Sequence, residues 1–240
     1  MLFRSYKDNI YALNVISSVD VNPEQEKKSK DILEKASKIV AATDQNLNQL
    51  IRYDTNVSSG ICNIVKEQKI SDMIIGLHQR QSITDSFFGK FTEYLLNYCI
   101  SNIYIYHSTQ PFNTLKKLIV VIPDKAEKEP CFNEFVIKLI NIASNATIKL
   151  IIFASENVNK ILIQHKKKHS FEVELINFID LEDFLIVSSK LAANSGLFIF
   201  MSRPGGITRN ETMNKISKYL NRYFTKYNYI LFYPEKEKKA

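Results

Sequence analysis

Strand-like and helix-like patterns alternate along the whole chain, and that alternation limits the fold more than any other feature. Residues 9–17 form a near-continuous apolar run of the kind found in strands buried on both faces. A helix should follow. Asn22 suits its cap, Pro23 its first position, and Ile32, Leu33, Ala36, Ile39 and Val40 recur on one face before an end near Thr43. Residues 47–53 read as the next strand, and Val57, Ile61, Ile64 and Val65 mark the next helix, with Thr55 or Asn56 as cap. A short apolar run at 72–75, a helical pattern from Phe87 and a strand at 103–106 complete the first half. Strands that succeed one another through helices demand a parallel sheet with crossover connections.

Residues 110–114 read as a linker, after which the alternation repeats. Strands are expected near 117–122, 148–154, 171–178, 197–201 and 229–233, with four helices between them. In the second of these, 158–168, Ile161, Leu162 and His165 share a side; the third opens with Asp180 as cap and Asp183 three residues on. Thr208 and Glu211 form a capping box for the fourth, where Ile216, Leu220, Tyr223 and Tyr227 make an apolar stripe. Strand spacings in the two halves correspond: 47 to 71 matches 171 to 196, and 72 to 103 matches 197 to 230. This is an internal repeat. In its register the first half begins at its second strand and the counterpart of 117–146 is absent. Residues 2–7 then read as the tail of the missing helix, and the chain as a fragment with Met1 added. The expected architecture is α/β: two tandem, doubly wound, Rossmann-like parallel sheets at 1–110 and 115–235, the first lacking its leading strand and helix. Residues 236–240 are expected to be a disordered tail.

Composition narrows the class. With 240 residues, 45% hydrophobic, and few Gly or Pro, the chain is ordered globular protein with room for two ordinary domains. Cys62, Cys99 and Cys131 are odd in number, far apart and each set in an apolar helical pattern. Neither a disulfide framework nor a metal cluster is expected, and a reducing cytoplasm fits best. No basic-then-apolar leader precedes Tyr11, and the apolar runs are far too short to cross a bilayer. The net charge of +7 permits attraction to nucleic acid or an anionic membrane face without choosing between them. The densest basic run, 165–169, ends a helical pattern, where cations offset the dipole and face water.

A strand that passes through a glycine loop into a helix N-terminus presents free N–H groups and the helix dipole together, which suits anions. The stretch from Asp72 to His107 has that plan, with Gly76, Gln79 and Gly89 at the glycine positions of Gly-x2-Gly-x9-Gly-Ser/Thr and Lys90 at the hydroxyl position. This resembles the phosphate loop of universal stress proteins. More specifically, Asp72 to His78 followed by Ile83 to Glu93 is similar to the tandem stress-protein region that follows the membrane part of some bacterial monovalent cation/proton antiporters. The resemblance implies a fold of the adenine nucleotide alpha hydrolase type and a ligand loop formed by Gly76, His78, Gln79, Gly89 and Lys90. It also implies ATP or AMP as ligand, although Gln79 replaces a glycine that lets backbone approach phosphate, and Lys90 replaces a hydroxyl donor.

Other loops at strand ends are weaker candidates. His78, Ser82, Thr84 and Asp85 are polar residues of the first loop, and Asp85 and Ser86 also suit capping of the following helix. Asp124, in Pro-Asp-Lys-Ala-Glu after the first strand of the second half, falls near an acidic residue that contacts adenine in stress proteins. Its structural alternative is a Pro-Asp turn capping the next helix. The loop 202–206, Ser-Arg-Pro-Gly-Gly, has basic and flexible character but lacks the spaced glycines. His107, at a strand end, is expected to be structural, whereas His78 is placed to report pH, because an unperturbed imidazole titrates near about 6.5. No Walker loop, Gly-x-Ser-x-Gly elbow or His-Glu-x-x-His helix is present, so catalysis is not expected. The expected function is that of a cytoplasmic regulatory domain tethered to the inner membrane by a sodium/proton antiporter segment encoded upstream. A homodimer is expected, and no nucleic acid partner. A free-standing tandem stress protein that binds ATP or AMP is the alternative.

Overall fold

The computed structural model describes residues 10–19, 21–43, 45–77, 89–168, 171–178 and 181–236. They fall into two compact units, 1–70 and 71–240.

The first unit contains β1 (Ile10–Ser17), α1 (Pro23–Ala41), β2 (Leu47–Asp54) and α2 (Val57–Glu67). β1 and β2 pair in parallel along their whole length, from Ile10 opposite Leu47 to Ser17 opposite Asp54. Both helices start where short polar side chains compete well for free N–H groups. Asn22 Oδ1 accepts from Gln25 N at 2.8 Å ahead of Pro23. Asn56, not Thr55, caps α2, accepting from Ser58 N at 2.9 Å and Ser59 N at 3.3 Å. Gly60 allows α2 to lie close to the strands, because a Cβ there would stand 2.9 Å from Val15 Cγ1.

The second unit contains β3 (Asp72–Gly76), α3 (Gly89–Tyr98), β4 (Asn102–His107), β5 (Lys117–Val121), α4 (Phe132–Ala146), β6 (Lys149–Ala154), α5 (Glu156–Lys168), β7 (Val173–Asn177), β8 (Ser195–Phe200), α6 (Thr212–Tyr223) and β9 (Asn228–Tyr233). Its seven strands form one sheet in the order β3-β4-β9-β8-β5-β6-β7, parallel except where β4 meets β9. The runs Lys-Leu-Ile-Val-Val, Lys-Leu-Ile-Ile-Phe-Ala and Ser-Gly-Leu-Phe-Ile-Phe are buried almost throughout, as strands covered on both faces must be. Phe135 on α4 fills the layer above them, with ring centroids 4.9 Å from Phe232 and 5.0 Å from Phe200.

β5 to β9 assemble as β7-β6-β5-β8-β9, a doubly wound order. In the first half, β2-β1 and β3-β4 reproduce the outer pairs of that order, and the described residues hold no counterpart of β5. Among the described residues β1 and β2 make a two-stranded sheet, and β3 is an edge of the larger one.

The expected domain boundary at 110–115 differs from the division at 70/71. Antiparallel pairing of β4 with β9, from Ile103 opposite Tyr233 to His107 opposite Tyr229, attaches β3, α3 and β4 to the second half. The expected linker is likewise held. Asn228, 1% exposed, accepts from Thr109 N at 2.6 Å and Gln110 N at 3.0 Å and donates to Gln110 O at 2.7 Å.

Several local expectations are corrected. Residues Leu181–Lys190 form 3-10 turns where an α-helix was expected, and Asp180 lies outside the described residues. The Thr208–Glu211 capping box does not form; Asn210 Oδ1 accepts from Met213 N at 3.0 Å, and Thr208 is engaged elsewhere. α6 stops at Tyr223, so Tyr227 is not on its stripe, and the buried aromatic beyond its end is Phe224. At the C-terminus, Lys236 N donates to Ile100 O at 3.2 Å, and 237–240 lie outside the described residues.

Candidate functional site

Open parallel sheets bind ligands beyond the carboxyl ends of their strands, where the strand order reverses. In the second half that point lies between β5 and β8, which run parallel with Val121 opposite Ile199. The first half offers the corresponding loop after β3.

That first loop is only partly in view. Gly76 ends β3, Leu77 N donates to Tyr106 O at 2.9 Å, and residues 78–88, including His78, Gln79, Asp85 and Ser86, lie outside the described residues. Gly89 opens α3 at φ +67, a left-handed conformation that favours glycine. Lys90 is exposed in the first turn of α3.

Asp124 is exposed in a turn closed by Ala126 N donating to Pro123 O at 3.3 Å, with Lys125 left-handed at φ 63. The turn is as expected, but α4 does not begin until Phe132, so Asp124 does not cap it. Five residues on, Glu129 is buried and its Oε1 accepts from Thr208 N at 3.1 Å and Thr208 Oγ1 at 2.8 Å. The neighbouring Cys131 thiol is pushed up to about 12 by burial, which keeps it from acting as a thiolate nucleophile at neutral pH.

The loop after β8 holds the largest departure from expectation. Arg203 is 3% exposed, and its guanidinium reaches five carbonyl oxygens. Nε donates to Pro234 O at 2.8 Å; Nη1 donates to Leu95 O at 3.2 Å, Leu96 O at 2.9 Å and Cys99 O at 3.1 Å; Nη2 donates to Ser101 O. Four of these carbonyls, those of Leu95, Leu96, Cys99 and Ser101, lie in the last turn of α3 or just beyond it, where free carbonyls and the helix dipole favour a cation. The arginine read as part of a loose basic loop is therefore a cap, and it joins β8's loop to a helix of the first half. No motif announces it, because its acceptors are backbone atoms 31 to 108 residues away.

A second long-range tie joins the halves of this unit. Lys138 Nζ on α4 donates to Asp72 Oδ1 at 2.6 Å, and Asn102 Nδ2 donates to the same oxygen at 3.2 Å. Beside Arg203, α3 and α6 border a cleft of about 420 Å³ whose lining includes Glu93, Asn97, Met201, Arg209, Met213 and Tyr233. Burial raises the pKa of the Tyr233 phenol, while Arg209 and Arg203 oppose the shift. His107 is structural as expected: its ring stacks on Tyr229 at 4.6 Å and Nε2 lies 3.3 Å from Thr225 O. Among the described residues, no three His, Cys, Asp or Glu side chains gather as a metal site, and no helix is long and apolar enough to cross a membrane.

No protein-family model matches the sequence, and no curated protein matches it significantly. Solved structures do. A universal stress protein from Archaeoglobus fulgidus DSM 4304 superposes with a TM-score of 0.63 at 13% identity, covering 97% of this chain and 88% of that one. A protein from Pseudomonas aeruginosa UCBPP-PA14, proposed as a universal stress protein, gives 0.62 at 9% identity, covering 93% and 82%. The cytoplasmic domain of a prokaryotic cation chloride cotransporter gives 0.57 at 9% identity, covering 98% and 88%. The likeness is one of fold: this chain is an α/β protein with a parallel-dominated sheet of the universal-stress-protein type.

Proposed function

We propose that this chain is the non-catalytic, cytoplasmic regulatory region of a membrane transporter, specifically of a monovalent cation (sodium)/proton antiporter encoded upstream. The observation that carries the reading is the full-length likeness to the cytoplasmic domain of a cation chloride cotransporter. The joint between the halves supports it. With α3 capped by Arg203 and β4 paired to β9, a ligand or partner at the Gly76–Gly89 loop acts on a continuous seven-stranded sheet. Regulation needs only a coupling of about 1–3 kcal/mol, which alters transport several-fold to about a hundredfold. The membrane segment and a second copy of the chain are the partners in this reading.

Two measurements test it. The coding sequence upstream should contain about ten or more apolar segments of about twenty residues. Proton-coupled cation flux in vesicles should then differ between the full-length transporter and one cut before this region. Equal rates at every pH would leave the region an assembly module.

The likeness to a universal stress protein keeps a second reading, a free-standing tandem protein that binds ATP or AMP. Gln79 and Lys90 in the first loop and the Glu129–Thr208 contact in the second weigh against it. Nucleotide at a hundred times its Kd stabilises a binder by about 2.7 kcal/mol, so a raised melting midpoint in micromolar ATP would favour the second reading.

A further inference from the structure

At the reversal of strand order in the second half, two loops face each other beyond the sheet. One follows β5 and carries Glu129; the other follows β8 and carries Ser202 to Thr208. This is the place where an open parallel sheet offers a crevice to a ligand. Here a carboxylate spans it. Glu129 is 7% exposed and Thr208 4%, and Oε1 of the former receives both the backbone N–H and the hydroxyl of the latter. The loop is wound tightly around that oxygen. Gly206 N donates to Arg203 O at 2.9 Å, and Gly205 sits at φ +81. A Cβ on Gly206 would come 3.3 Å from Glu129 Oε1 and 2.4 Å from Ser202 Oγ.

Backbone and hydroxyl donors aimed at one buried oxyanion are the arrangement by which loops hold phosphoryl groups and carboxylates. We propose that Glu129 is the resident anion of this loop: its side chain fills the position a phosphate or small carboxylate would take and latches the crevice shut. The second half is thereby a closed site whose donors serve cohesion. Because the same loop carries Arg203 into the end of α3, closing it also fixes the joint between the halves. The inference holds whether or not the chain regulates a transporter.

The latch predicts that removing the carboxylate creates an anion site. Titrations with inorganic phosphate and with formate, at constant ionic strength, would be followed through the amide signals of Gly205, Gly206 and Thr208 in the wild type, E129A and E129S. The wild-type signals should stay in place. In E129A they should shift saturably with either anion at millimolar concentration, and formate should raise the melting midpoint of the variant more than that of the wild type. If E129A fails to fold, E129S carries the test: its short side chain leaves the carboxylate's position empty, and its Thr208 signal should move with phosphate. Two results overturn the proposal. One is a saturable shift of the wild-type Thr208 amide, which would mean that the donors are free; the other is a folded variant whose Thr208 amide ignores both anions.

Discussion

Replacing Arg203 tests how the two halves of the larger unit are held together. Its guanidinium is buried and its bonds end on Leu95, Leu96, Cys99, Ser101 and Pro234 carbonyls. Bonds from a charged donor are worth about 1.5–3 kcal/mol each, and a buried acceptor left without its partner costs about 1–3 kcal/mol. The bonds share one side chain and do not add, so Arg203→Ala should lose about 4–5 kcal/mol, at the upper end of single substitutions. That is a large part of a typical total of about 5–15 kcal/mol. At about 2–4 °C per kcal/mol for a chain of this size, the melting midpoint should fall by about 8–20 °C. Arg203→Lys should recover only part of the loss, because an ammonium is a point donor and cannot reach Pro234 and the helix end together. Urea unfolding gives the magnitude, and hydrogen exchange gives the place: amides of α3 and β4 should open before those of β5 and β8. A loss under about 1 kcal/mol in Arg203→Ala, or a lysine variant as stable as the wild type, would refute the reasoning.

Asn228→Ala removes the bonds to Thr109 and Gln110 and should cost about 2–4 kcal/mol in urea melts, with faster proteolysis near residue 110. Lys138→Met leaves Asp72 without its ammonium partner and should lose about 1.5–3 kcal/mol. Asp72→Asn added to it should cost less than it does alone, a coupling that a double-mutant cycle reads directly. In the smaller unit, Asp54 has its pKa lowered chiefly by the backbone N–H of Asn56, with Ser59 and Arg52 assisting against the opposing effect of burial. Its contribution is present above the unfolded carboxylate pKa of about 3.9 and is lost as pH falls through the lower folded value. Acid titration of stability should therefore lose part of its steepness in that window in Asp54→Asn, and an unchanged acid limb would count against the assignment.

The elements that the sequence determined are those whose causes lie within a few residues. Asn22 and Asn56 cap helices because their side chains reach N–H groups two or three positions ahead. The apolar strand runs mark where strands form, and the helices between them make the sheet mostly parallel. Gly89 suits the turn into α3, where its φ of +67 is a conformation that favours glycine. The tertiary structure decided what those halves do with each other. Edge pairing of β4 with β9 leaves no signature in either strand, since backbone N–H and C=O groups are the same in every residue. For the same reason Arg203 read as part of a flexible basic loop, though its partners are carbonyls that any sequence supplies. Thr208 and Glu211 fit a helix-capping pattern, and the chain instead sends Thr208 to Glu129, 79 residues away. A local rule gave way there because a buried carboxylate must find donors, and only the folded chain brings those donors within reach.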